Sequence, residues 1–417
     1  MKRFILTSSL VILFTSVAVQ AAAGDAVLER YIELALTQNP RIAMSDRNAD
    51  AAEARIPQAG SLPDPMLGFG IKDLSADDPF LGSGEMTGRF VMLEQMFPFP
   101  GTLGAKKEMA RRDYEMARAE AANERLTLTS EIAELYYKWA DVRAAMELME
   151  RNKALMQQMA ELAAAAYSVG MGAQSDVLQA QTQVTKIDVE LAMLRQREKS
   201  LVADINICCN LPPDVITTPP LPLAYEPIHV PYDTLWGWIE RDNPMIAASL
   251  AWRTAAETGV RMARKMTYPD FRVGVEYMRR GETMPENMIS LQAGVSLPVF
   301  WKTKQSPLMH EKRAERASAF EQHQDVLNMT RFELTDMTAM AASLEEQIEY
   351  YRDAILPRAA QTLESARAGY TNGKVDFMTV LVSQMTLFDA ERDKLARIAE
   401  YNTVWAKLFT MAARPLP

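Results

Sequence analysis

The chain has 417 residues, a formal net charge of −9 at pH 7 and a hydrophobic fraction of 48%. The acidic balance argues against a nucleic-acid partner, because phosphate binding needs clustered Lys and Arg. The only cysteines, Cys208 and Cys209, are adjacent, which rules out a disulfide framework.

The first predicted element is a secretory signal over residues 1–23. Lys2 and Arg3 precede the apolar run from Phe4 to Val19, and small residues close it. That run is shorter than the roughly 20 residues of a membrane-spanning helix. Losing Lys2 and Arg3 takes the net charge from −9 to −11.

Residues 24–210 read as a first repeat. Asn39 suits a helix N-cap, with Pro40 at the first helical position, where its missing N–H costs nothing. Two strands follow, near 66–74 and 88–97. In the first, Leu67, Phe69 and Ile71 alternate with Gly68, Gly70 and Lys72; the second alternates less cleanly. A hairpin over 102–210 comes next. From Ala105 to Val169 there is neither Gly nor Pro, so a helix of 65 residues would reach roughly 98 Å. Leu128, Ile132, Leu135, Trp139, Val142, Met146 and Met149 step by alternating fours and threes, the period of a coiled-coil seam. Gly170 supplies the reversal, and Val184, Ile187, Leu191, Leu194, Leu201, Ile205 and Cys208 line the returning helix.

Residues 211–232 hold Pro212, Pro213, Pro219, Pro220, Pro222, Pro227 and Pro231, an extended connector. Residues 233–417 then repeat the scheme. Asn243-Pro244 matches Asn39-Pro40, and Pro269-Asp270 matches Pro63-Asp64. Strands are predicted near 270–279 and 288–298, and a hairpin over 302–414. Tyr370-Thr371-Asn372-Gly373 matches Tyr167-Ser168-Val169-Gly170. The same landmarks in the same order mark a duplication. The second seam runs through Met337, Leu344, Ile348, Tyr351 and Ile355, returning through Leu381, Phe388, Leu395, Ile398 and Trp405. Pro357 should bend its outgoing helix.

A single alternating hairpin fits a soluble protein as well as a barrel with lipid outside and water inside. Four strands cannot close a barrel, however, and an open edge in lipid leaves backbone groups unpaired. The strands therefore call for several copies of the chain.

These landmarks resemble the TolC family of outer-membrane factors over essentially the whole mature chain. Gln95-Met96-Phe97-Pro98-Phe99-Pro100-Gly101, with Leu62-Pro63-Asp64-Pro65 before it, is most similar to members paired with heavy-metal pumps of the resistance-nodulation-division (RND) class. The resemblance implies a mainly α fold with a membrane β-barrel. Three copies, each a duplicated helix-strand-strand-long helix-turn-helix unit, would enclose an α-helical tunnel and a 12-stranded barrel with four strands per chain. It implies a homotrimer in outer-membrane lipid, with the tunnel in the periplasm, a periplasmic adaptor (membrane fusion) protein and an inner-membrane RND pump as partners. The function implied is passive export, with heavy-metal cations as the expected cargo. A duct for drugs or for type I protein secretion is the alternative.

The resemblance places adaptor docking at the two tips, Val169-Gly170-Met171 and Asn372-Gly373-Lys374. Family members often narrow the tip with aspartates six residues after the turn glycine. Asp176 fits that place, Thr379 occupies it in the second half, and Asp376 with Tyr370 completes a candidate gate. The competing reading is that Asp176 caps the returning helix.

No enzyme is expected. His229, His310 and His323 share no metal-ligand spacing, and no phosphate loop or nucleophilic triad is present, so no cofactor is expected. Thioether sulfur suits soft metals, yet many of the 27 methionines, Met146, Met149 and Met337 among them, fall at seam positions where Met packs. Cys208-Cys209 reads either as two small apolar residues or as a soft-metal thiol pair. A periplasmic adaptor would carry one hairpin rather than two in tandem, and a secreted coiled coil would leave the strands unexplained.

Overall fold

A computed structural model describes residues 26–74, 87–170, 172–280 and 287–416. The predicted signal segment lies outside the described residues. The first half runs α1 (Ala26–Gln38), α2 (Pro40–Gly60), β1 (Met66–Lys72), β2 (Gly88–Phe97), α3 (Thr102–Ser168) and α4 (Gln174–Cys208). The second runs α5 (Tyr232–Asp242), α6 (Pro244–Lys265), β3 (Phe271–Arg280), β4 (Asn287–Val295), α7 (Gln305–Tyr350), a π turn (Tyr351–Ile355), α8 (Leu356–Thr371) and α9 (Phe377–Met411). Each half thus has two helices before its strands where one was expected, because Asn-Pro ends one helix and caps the next.

The caps do two jobs. Asn39 Oδ1 accepts from the Arg41 N–H at 2.7 Å, while its Nδ2 donates to the Cys208 carbonyl at 2.7 Å. Asn243 repeats this, accepting from the Met245 and Ile246 N–H groups and donating to the Met411 carbonyl at 2.9 Å. Each half is therefore tied from the start of its second helix to the end of its last one, and orphan groups at two helix termini are satisfied together.

Helix α3 is 67 residues long, about 100 Å at 1.5 Å per residue. Its seam residues Leu128, Ile132, Trp139, Val142 and Met149 are buried, and so are Ile187, Leu191, Leu201 and Ile205 on α4. One core surrounds Tyr31, Tyr136 and Trp139, and another surrounds Leu235, Tyr401 and Trp405. A third joins both hairpins near their tips through Met156, Ala163, Ile187, Leu363, Phe377 and Val380. The proline-rich connector is helix-free from 211 to 231 and is held by buried phenols. The Leu221 N–H donates to Tyr136 Oη at 3.0 Å, and the Ile228 N–H to Tyr401 Oη at 2.9 Å.

The outgoing helix of the second half also covers 67 positions, but it widens into the π turn before Pro357. Proline offers no N–H to the carbonyl four residues back and crowds it. The disturbance therefore falls one turn upstream of the expected bend, with the Leu356 N–H bonded to the Tyr351 carbonyl. Ile355, expected at the seam, is 41% exposed there.

The π turn absorbs one extra residue. Before it, buried positions on the two outgoing helices correspond at a spacing of 202: Leu128 with Thr330, Ile132 with Leu334, Trp139 with Ala341, Val142 with Leu344. After it the spacing is 203: Met156 with Ala359, Ala163 with Ala366, Tyr167 with Tyr370. An inserted residue turns everything beyond it by about 100° on an α-helix, and a single π turn takes up that rotation.

All four strands form one antiparallel sheet in the order β1-β2-β3-β4, so the halves meet through β2 and β3. Among the described residues no helix is long and apolar enough to cross a membrane.

Candidate functional site: barrel sector and hairpin tips

The strand registers sort the sheet into two chemically distinct faces. On one, successive cross-strand rows read Leu67-Leu93-Val275-Leu291 and Phe69-Val91-Tyr277-Ile289, with Phe97-Phe271-Val295 nearest the helices. These side chains are exposed, Phe69 at 84% and Leu291 at 80%. From Phe97 to Val91 the band extends about 20 Å along the strand. So much contiguous apolar surface on an isolated chain marks a surface that meets lipid or protein.

The opposite face is charged and crossed by glycines. Lys72 pairs with Glu276, which is 3% exposed, and Arg272 with Glu94 at 3.7 Å. Lys72 Nζ also sits 4.8 Å from the Phe90 ring centroid. A Cβ on Gly70 would lie 2.9 Å from that ring, and one on Gly88 would lie 2.8 Å from Met278. A side chain at either position would have to displace the large residue that the neighbouring strand lays across the glycine. Met66, Met92, Met96, Met278 and Met288 all share this face. Sequence reading missed them: β2 carries apolar residues on both sides, so its alternation was blurred. The signal available was the glycine alternation of β1, which called for large partners opposite.

In the single chain β1 and β4 each leave one edge without a partner among the described residues. Proline-bearing segments that flank the sheet turn helix into strand. There Phe99 stacks on Tyr268 at 4.4 Å, and Phe300 and Trp301 are exposed.

At the other end of the molecule the two hairpins reverse. Gly170 and Gly373 adopt φ of +76° and +64°, the left-handed region that favours glycine. Val169 is 68% exposed, and Asn372, Gly373 and Lys374 are exposed beside it; Met171 lies outside the described residues. The gate candidates separate by role. Helix α4 begins after Ala173 with no side-chain cap, so Asp176 is a first-turn residue and not the cap it could have been. Asp376 is the cap of α9: its Oδ1 accepts from the Thr379 N–H at 2.9 Å and from the Thr379 hydroxyl. Those two hydrogen bonds hold the Asp376 carboxyl below its ordinary range. Burial, and then the nearby Asp176 carboxylate, hold the Tyr370 phenol above its usual value. The charge of Asp176 thus reaches Tyr370 across the hairpins, while Asp376 is committed to its own helix. Just behind them Gln384 Nε2 donates to Asn152 Oδ1 at 3.2 Å, and Arg367 donates to Gln384 Oε1 at 3.0 Å.

Neither cysteine offers a ready metal ligand. Both are buried, and burial pushes each thiol up to about 11, far from the thiolate that binds metal. The apolar reading of the pair is the one this geometry favours. His229 and His310 are exposed and far apart in the chain, whereas His323 is buried with Nδ1 2.8 Å from Ser249 Oγ.

Comparison with known proteins matches both halves of the chain. The profile described as outer membrane efflux protein matches residues 31–204 and 239–414, one block in each half. The cobalt-zinc-cadmium resistance protein CzcC of Cupriavidus metallidurans is 23% identical over 388 residues, covering 88% of this chain and 85% of its own. The pyoverdine export outer membrane protein OpmQ of Pseudomonas putida is 22% identical over 396 residues, covering 89% and 82%. The solved structure of the outer membrane protein VceC from Vibrio cholerae superposes with a TM-score of 0.80 at 20% identity, covering 94% of this chain and 97% of that one. The chain belongs to the outer membrane efflux protein family and is the outer-membrane channel of a tripartite efflux system, with its helical tunnel in the periplasm.

Proposed function

We propose that three copies of this chain close the barrel and the tunnel, and that the channel exports transition-metal cations delivered by a periplasmic adaptor and an inner-membrane RND pump. The observation that carries the trimer is the four-stranded sheet itself. Its apolar face is exposed and both of its edges are open, and lipid tolerates neither an open edge nor a lone sheet. Two units, 24–210 and 233–417, joined by the connector 211–232, would each supply one hairpin to the tunnel wall. The metal cargo is supported by the likeness to CzcC and by the charged, methionine-bearing inner face of the sheet. Chemical energy would come from the pump.

The tips at Val169-Gly170-Met171 and Asn372-Gly373-Lys374 are the proposed adaptor contacts. Asp176, Tyr370 and Asp376 are the proposed periplasmic constriction, with Asp176 and Tyr370 its working pair. The likeness to OpmQ favours a second reading, export of an organic cargo.

One experiment separates the two cargoes. Cells lacking the chain are challenged with cobalt, zinc, cadmium, copper and silver salts and, in parallel, with dyes and organic drugs. Sensitisation to the metals above the organics is expected; the opposite ranking would sink the metal assignment and leave the organic one.

A further inference from the structure

At the end of the sheet farthest from the helices, the last row of the apolar face reads Ile71-Arg89-Arg279-Asn287. Arg89 and Arg279 are direct partners on neighbouring strands, and both are exposed. Directly opposed Cβ atoms on an antiparallel pair are about 4.5–5.5 Å apart, so two like charges placed there repel. Among the described residues neither guanidinium has a carboxylate partner. The ion pairs Lys72–Glu276 and Arg272–Glu94 lie on the other face of the sheet.

The surroundings define the depth of this pair. One row nearer the helices lie Phe69, Val91, Tyr277 and Ile289, all exposed. An aromatic with a polar tip, such as Tyr277, suits the boundary between hydrocarbon and headgroups. The arginines therefore stand just beyond the hydrocarbon, at headgroup level in the leaflet away from the periplasm. A charge is tolerated at that depth far better than at mid-bilayer. Tolerance does not account for two cations held side by side; a shared counter-anion does.

We propose that Arg89 and Arg279 together bind the phosphate monoester of an outer-leaflet lipid headgroup. Guanidinium presents a planar fork of donors that matches phosphate oxygens in pairs. A monoester carries close to two negative charges near neutral pH, which balances two arginines, whereas a diester phospholipid supplies one. Ile71 and Tyr277 would flank the lipid's first methylenes. The site rests on the barrel reading, because only a membrane-embedded sheet presents this row to lipid.

The test uses the full-length assembly purified in detergent and examined by native mass spectrometry. Added probes are lipid A, its dephosphorylated form and phosphatidylglycerol, with inorganic phosphate as a soluble competitor. Retention of lipid A over the dephosphorylated lipid should be roughly tenfold, as expected for a charge-assisted bidentate contact. The double variant Arg89→Gln/Arg279→Gln should lose that preference, each single variant should lose part of it, and Arg89→Lys/Arg279→Lys should recover part. Equal retention of the dephosphorylated lipid, or no effect of the double variant, would overturn the site. Equal retention of phosphatidylglycerol would overturn the monoester, and displacement by inorganic phosphate would overturn the lipid source. The mass of the intact trimer in the same spectra is the control. Failure to recover a membrane trimer from the unsubstituted chain would count against the barrel reading and not against the arginines.

Discussion

The two outgoing helices cover the same number of positions and each pairs with the returning helix of its own hairpin, yet one is a continuous α-helix and the other is broken by a π turn. Helix α3 keeps its seam from Leu128 to Met149 without interruption. Its counterpart carries one more residue between matched buried positions and absorbs it at Tyr351–Ile355, just ahead of Pro357. The lesson is that a coiled-coil wall tolerates an insertion where the extra turn is confined, so that the seam on either side keeps its face. A mid-helix π turn of this kind also leaves the second hairpin with a built-in irregularity that the first lacks.

That difference can be broken directly. Deleting Glu150 from α3 should rotate the segment down to Gly170 by about 100° and expose Met156 and Ala163, with loss of assembled trimer on size-exclusion chromatography. Deleting Asp353 together with Pro357→Ala should instead restore a continuous α-helix and leave the trimer intact. Equal damage from both deletions would mean that the π turn is not the site of the insertion.

A second difference lies where the outgoing helices pack on α2 and α6. Ala121 of the first half corresponds to His323 of the second. Burial, and then the charge of Arg253, lower the His323 pKa below its ordinary 6.5. Above pH 6.5 the ring is neutral in both folded and unfolded chains, and the contact with Ser249 is kept. As pH falls, the unfolded chain binds its proton first, so stability is lost as pH drops through the folded pKa. Thermal midpoints between pH 8 and pH 5 should therefore fall further for the unsubstituted protein than for His323→Gln. Parallel slopes would remove His323 from the account.

The smallest expected effect concerns the tips. Asp376 holds the first turn of α9, whereas Asp176 caps nothing and its charge acts on Tyr370. Asp176→Ala should raise single-channel conductance or relieve block by divalent cations in planar bilayers. Asp376→Ala should mainly speed amide exchange in the first turn of α9. Matching conductance changes in both variants would place the two carboxylates in one constriction.

Much of this was legible in the chain. The four-three stepping from Leu128 to Met149, the paired landmarks Asn39-Pro40 and Asn243-Pro244, and the absence of Gly and Pro from Ala105 to Val169 led directly to tandem hairpins. The alternation of Leu67, Phe69 and Ile71 with Gly68, Gly70 and Lys72 led to a sheet with two unlike faces. The π turn was not legible, because a one-residue change of register appears only when burial on both helices is known. The methionines of the inner face were hidden for a related reason. Which side of β2 faces water depends on its partners, and Phe90, Met92 and Met96 are apolar whichever side they occupy. At the tips, Asp176 fitted the place six residues after the turn glycine and was also the candidate cap, whereas hydrogen bonding to Thr379 makes Asp376 the cap instead.

The sheet order carries a consequence for biogenesis. β2 finds its second partner in β3, some 180 residues later in the chain, and the outer edges of β1 and β4 find theirs only on neighbouring copies. The first hairpin can form its coiled coil as soon as it is exported, but the second edge of β2 must wait for the strands of the second repeat, and the outer edge of β1 for a sister molecule. Such late pairing is slow and leaves adhesive edges exposed in the interval. Membrane insertion becomes a census of chains: a shortage of one subunit stalls the other two outside the bilayer, and a truncated half can never complete a pore.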